Sequence, residues 1–194
     1  FAAVHLLFIN LLTDSLPAIA LGLEPHTEQV MHEKPRPRKE GILTKPFLAS
    51  VGLEGLVIAV GTIVAFHLGL RYGGEAAGAT MAFATLCLSR LFHGFNCRED
   101  RSILRMGISG NPASLAAFGV GVLLLLTVLL IPALHGLFLV ADLTLAQLGM
   151  ILGLAVLPTL CIQIPRIARG KYNPYPASKQ PPAPAGGWFC AREC

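Results

Sequence analysis

The chain has 194 residues, of which 54% are hydrophobic and 13% charged, and its mean hydropathy is +0.64. A soluble domain carries about a quarter charged residues, so this composition excludes an ordinary cytosolic enzyme, a disordered tail and a nucleic-acid binder. A net charge of +4 is too small to define a nucleic-acid surface, and five cysteines are too few and scattered for a disulfide-stapled domain.

A bilayer core about 30 Å thick needs about 20 mainly apolar residues per helix. Five segments qualify: 1–23, 47–70, 76–95, 113–140 and 143–164. The apolar run begins at Phe1 with no basic start or small-residue cleavage site, so it is read as a span of a longer chain. Asn111-Pro112 reads as an N-cap followed by proline at the first helical position. Thr144 with Gln147 reads as a capping box. The pairs Gly69/Gly73 and Gly149/Gly153 suit close helix contact. The expected fold is an all-α, polytopic membrane bundle of five transmembrane helices, with no soluble domain between them. The tail, rich in Pro, Ala and Gly, is expected to be disordered.

Fourteen of the fifteen Lys and Arg residues lie on one side of this alternating topology, and only Arg71 lies on the other. The positive-inside rule makes the basic side cytoplasmic. Residue 1 is then outside and the C-terminus inside.

Two acids fall within spans. Glu54 lies about 10 Å from the cytoplasmic end of its helix at 1.5 Å per residue, and reads as an interfacial or helix-packing group. Asp14 lies about 14 Å from the end of its span, at the midplane of the core. An ionised group there costs at least about 2.5–3.5 kcal/mol, which points to function. Asn10, Thr13, Asp14 and Pro17 stand at i, i+3, i+4 and i+7, one helical stripe. Pro17 cannot donate to the carbonyl of Thr13, so the helix is weakened there and backbone oxygens come free. Amide, hydroxyl, carboxylate and carbonyl oxygens are the hard ligands calcium prefers. Calcium takes 6–8 oxygens, so other helices must supply the rest. The bland alternative is a polar stripe that joins helices. Arg90 lies about 9 Å from the cytoplasmic end of the third span. It either snorkels to the interface or, by the N-terminal lean of helical side chains, faces inward. Inward, it is a counter-ion to Asp14 or blocks a second cation site.

The segment Val4-His-Leu-Leu-Phe-Ile-Asn10-Leu-Leu-Thr13-Asp14-Ser-Leu-Pro17 resembles the sixth transmembrane helix of P-type calcium-transporting ATPases of the sarcoplasmic-reticulum type. Residues from Met81 to Asn96 resemble the eighth helix of bacterial members, the Asn111-Pro112 start is similar to the ninth, and Thr144 to Gln147 to the tenth. The resemblance covers 1–172 and leaves 173–194 as a cytoplasmic tail. It implies five helices of a ten-helix transport domain, with Asn10, Thr13 and Asp14 coordinating transported calcium. Arg90 aligns with an acidic ligand of the two-site pumps, which implies one calcium per cycle. Manganese-accepting relatives usually carry Met where Thr13 stands, and Ile164 and Pro165 depart from the family's usual acidic end of the tenth helix.

The phosphorylation motif and nucleotide-binding domain of that family are absent from this chain. ATP and magnesium would act only through domains outside it, and the fragment alone should hydrolyse nothing. The implied partners are calcium, the lipid bilayer and the N-terminal part of the same pump, with helices one to five and the cytoplasmic domains. The implied location is the bacterial cytoplasmic membrane. Two other classes use the same residues: an ATP-independent cation or proton-coupled transporter, and a structural bundle in which Asp14 and Arg90 merely pair. His5, His67 and His135 read as packing, and Cys190 and Cys194 as idle thiols.

Overall fold

The computed structural model describes residues 2–23, 45–97 and 112–168. The basic first linker, Asn111, the tail 173–194 and its two cysteines lie outside the described residues.

The first span is a rod of three pieces: α1 (Ala3–Phe8), a π-helical turn (Ile9–Asp14) and α2 (Ser15–Gly22). Its 20 residues cover about 30 Å at 1.5 Å per residue. The second and third spans form one element, α3 (Lys45–Asn96), which reverses at Gly74. There φ is +79° and ψ is −170°, a conformation that a Cβ makes costly. Two contacts lie almost symmetrically about this turn, Gly69 against Gly78 and Glu54 against His93. The two arms, 45–73 and 75–96, are therefore an antiparallel hairpin.

Small residues let the arms approach. A Cβ added at Gly69 would sit 2.5 Å from the Gly78 Cα and 2.8 Å from the Ala77 carbonyl oxygen. Both are backbone atoms that cannot swing away. Gly69→Ala is expected to destabilise the bundle by about 1–3 kcal/mol, read as a lower thermal midpoint in detergent. Gly149 and Gly153 meet nothing within 4 Å among the described residues. The expected close contact at that pair is not formed, so Gly149→Ala serves as the reference variant and should lose no stability.

The fourth span differs from the expectation. Instead of running over 113–140, α4 (Pro112–Leu130) stops ten residues early and is followed by a short α5 (Pro132–Phe138). Pro132 is the cause. Its ring pushes the preceding residue out of helical geometry, and Ile131 is extended, with φ −94° and ψ 108°. The last helix, α6 (Leu145–Ala168), begins at the expected cap. The Thr144 amide donates to Gln147 Oε1 at 2.8 Å, and the Gln147 amide donates to Thr144 Oγ1 at 3.4 Å.

The second arm of α3 is the axis of the bundle. Met81, Phe83, Ala84, Cys87 and Leu91 on it are almost fully buried. The His5 and Phe8 rings of the first rod pack on Phe83, with centroids at 4.5 and 5.5 Å. Phe118 of α4 meets Phe92 and Phe95, each at 5.2 Å. Gln163 of α6 donates to Asn96 Oδ1 at 2.6 Å. The outward faces are apolar: Leu11, Leu53, Leu56, Leu123 and Leu137 are each 60% exposed or more. Such a surface suits lipid, and among the described residues four helices are long and apolar enough to cross a membrane, one being the 50-residue hairpin stretch Phe47–Asn96. The chain is an all-α, multi-pass membrane bundle whose hairpin makes two of its five passes.

Candidate functional site

The backbone of the first rod changes register where the sequence places its polar stripe. Pro17 has no amide hydrogen, so neither Thr13 in α register nor Leu12 in π register can receive a bond from it. The turn just before it is the wide one, Ile9–Asp14. Single π turns inside α-helices recur at functional sites. The Ser15 hydroxyl donates back to the Asn10 carbonyl at 3.1 Å, five residues away. Asp14 ends the turn with φ −101° and ψ −46°.

Asp14 and Arg90 meet across the interface between this rod and the second arm of α3. Nε of Arg90 lies 2.8 Å from Oδ1, and Nη2 donates to Oδ2 at 2.8 Å. This is the bidentate fork that matches guanidinium to carboxylate, at charge-assisted distances. The two side chains are 41% and 34% exposed, so the helices described here leave the pair partly uncovered. Asn10 is exposed on the same rod, and the Thr13 backbone lies within the π turn. Pro17 packs on α3, where a Cβ at Gly94 would touch its Cβ at 3.4 Å. That contact seats the rod against the arm carrying Arg90.

Glu54 has a partner that the sequence reading did not find. Its Oε2 lies 3.5 Å from His93 Nε2, and Ser50 Oγ donates to Oε1 at 3.4 Å. The signal was present in the spacing: a hairpin that turns at Gly74 sets residue 54 opposite residue 93. His5 is more than packing as well. The Ala2 amide donates to its Nδ1 at 3.2 Å, leaving Nε2 to donate to the Phe138 carbonyl at 2.6 Å. The imidazole thereby ties the start of the first rod to α5.

Among the described residues no group of three or more His, Cys, Asp or Glu could hold a metal ion. What the site offers is one carboxylate, already matched by a fixed cation, beside a loosened backbone.

Comparison with known proteins gives this arrangement a context. Residues 1–168 match the family described as cation transporting ATPase, C-terminus. Calcium-transporting ATPase 1 of Bacillus cereus is 35% identical over 86% of this chain and 21% of its own length. The calcium-transporting ATPase of Bacillus subtilis is 34% identical over 87% of this chain and 19% of its own. Calcium-transporting ATPase 1 of Lactococcus lactis is 34% identical over 89% and 20%. The chain thus spans about a fifth of the length of the curated relatives it matches. With the family match running through every helix described above, the chain belongs to the C-terminal region of the cation-transporting ATPases.

Proposed function

We propose that this chain is the C-terminal part of the membrane domain of an ATP-driven calcium pump, and that Asp14, Asn10 and Thr13 give oxygen ligands to its ion. Arg90 holds the Asp14 charge while the site is empty. With Arg90 in place of a second acid, the pump moves one calcium per cycle. The remaining ligands, ATP hydrolysis and its magnesium belong to the rest of the pump, which is this chain's partner. The excess of basic residues supports a cytoplasmic C-terminus and first linker.

The observation that carries the reading is the bidentate Asp14–Arg90 pair beside the π turn at Ile9–Asp14. An intramembrane carboxylate is costly, and here it stands where loosened carbonyls add the oxygen donors that calcium takes. Relatives named for calcium transport agree with it. The test is ion uptake by sealed vesicles containing the full-length protein. ATP-dependent calcium uptake that excess manganese displaces poorly is the expected result. Uptake that proceeds without ATP, or none at all, overturns the reading.

A further inference from the structure

We propose that the cleft beside the hairpin turn seats an anionic phospholipid, with the phosphate on Arg71 and His67 and one acyl chain along Val64 and Leu68.

The cleft measures about 420 Å³ and is lined by Val64, His67, Leu68, Leu70 and Arg71, all on the first arm of α3. Val64, His67, Leu68 and Arg71 stand at i, i+3, i+4 and i+7, one face of the helix. That face changes character along its length. Arg71 lies three residues before the turn at Gly74 and next to the exposed Tyr72. Tyrosine collects at the membrane–water interface, so this end of the hairpin belongs at headgroup level, on the outer surface in the orientation proposed above. Val64 lies seven residues deeper, about 10 Å at 1.5 Å per residue. The cleft is cationic at its mouth and apolar below, which matches an amphiphile with an anionic head.

Charge selects the kind of lipid. Arg71 is the one basic residue that the positive-inside pattern leaves on this surface. Among the described residues, neither Arg71 nor His67 has an ion-pair partner. An arginine at a helix end ordinarily snorkels to water. Helical side chains, however, lean toward their own N-terminus, which on this arm carries the guanidinium back over His67, and Arg71 lines the cleft. A guanidinium grips phosphate through two parallel hydrogen bonds, and an imidazole one turn below can donate to another oxygen. Among the described residues no acid lines the cleft, so nothing there would meet the ammonium of a zwitterionic headgroup. A phospholipid with net negative charge is therefore the better match.

The experiment is a lipid titration of the delipidated full-length protein in detergent, with bound lipids counted by native mass spectrometry. Phosphatidylglycerol is expected to fill one saturable site about tenfold more tightly than phosphatidylcholine of the same chain length. Arg71→Gln should weaken that site about tenfold, the scale of a lost charge-assisted hydrogen bond. Val64→Trp fills the cleft without changing charge and should weaken it by a similar factor. Inorganic phosphate at the lipid's concentration should displace nothing. Unchanged affinity in Arg71→Gln would overturn the proposal. So would full affinity in Val64→Trp, because the headgroup would then bind without the cleft, and so would displacement by phosphate alone. No preference for phosphatidylglycerol also overturns it, the result expected if the remaining helices of the full protein cover this face. If Arg71→Gln does not accumulate in membranes, Arg71→Lys replaces it. An ammonium cannot make the paired bonds, so affinity must still fall, and an unchanged value overturns the proposal. The readout involves no ion transport, so its failure is distinct from failure of the calcium reading.

Discussion

On the proposed calcium reading, Asp14→Asn in the full-length protein is expected to weaken calcium affinity about a thousandfold while leaving the protein folded in the membrane. Two effects act in the same direction. Calcium sites tune their affinity over several decades through ligand charge and count, and Asp14 is the one carboxylate among the ligands proposed for this site. The substitution also leaves Arg90 without its fork, so a full positive charge stays beside the site. The amide keeps the shape and one acceptor oxygen, so packing around Pro17 and Gly94 should survive. The measurement is the calcium dependence of phosphorylation together with a thermal midpoint. An unchanged affinity with a lowered midpoint would mean that Asp14 only pairs with Arg90 to hold two helices together.

Asp14 and Arg90 were legible in the sequence because intramembrane charge is rare enough to be informative one residue at a time. Their approach was one of two readings that the sequence left open, since Arg90 could equally snorkel to the interface or lean inward. The π turn was half legible. Pro17 identifies which hydrogen bond is missing, but it does not say how the preceding turn closes again, and here the turn widens over Ile9–Asp14. The end of α4 was obscured by an apolar run that continues unbroken past Pro132, so hydropathy outvoted a local breaker that in fact governs the backbone at Ile131. Glu54 read as an interfacial or helix-packing group with no partner named, because the residue it meets is far along the chain. Only a turn located at Gly74 tells which residue of the second arm faces it. The glycine pairs carry the same lesson. Gly69 and Gly149 have the same spacing to a second glycine, yet only Gly69 meets another backbone, and that depends on tertiary placement.

On the proposed stoichiometry of one, Arg90→Glu should raise the calcium bound per phosphorylated full-length protein to two. In the structure the guanidinium pairs with the Asp14 carboxylate, and the proposed reading gives it two functions, matching that charge and filling the space beside it. The substitution reverses both. It removes the cation, and it sets a second carboxylate against Asp14 on the flank where the fork now lies. Two facing carboxylates repel one another and favour a cation between them. Calcium supplies that charge and gains ligands toward its required 6–8 oxygens. Arg90→Gln separates the two functions, because it removes the positive charge and adds no carboxylate. With Gln the stoichiometry should stay at one, and calcium should no longer have to displace a fixed cation. Equilibrium calcium binding counted against phosphoenzyme distinguishes these outcomes. A stoichiometry of one in both variants would leave Arg90 its part as counter-ion to Asp14 and remove its part in excluding a second calcium.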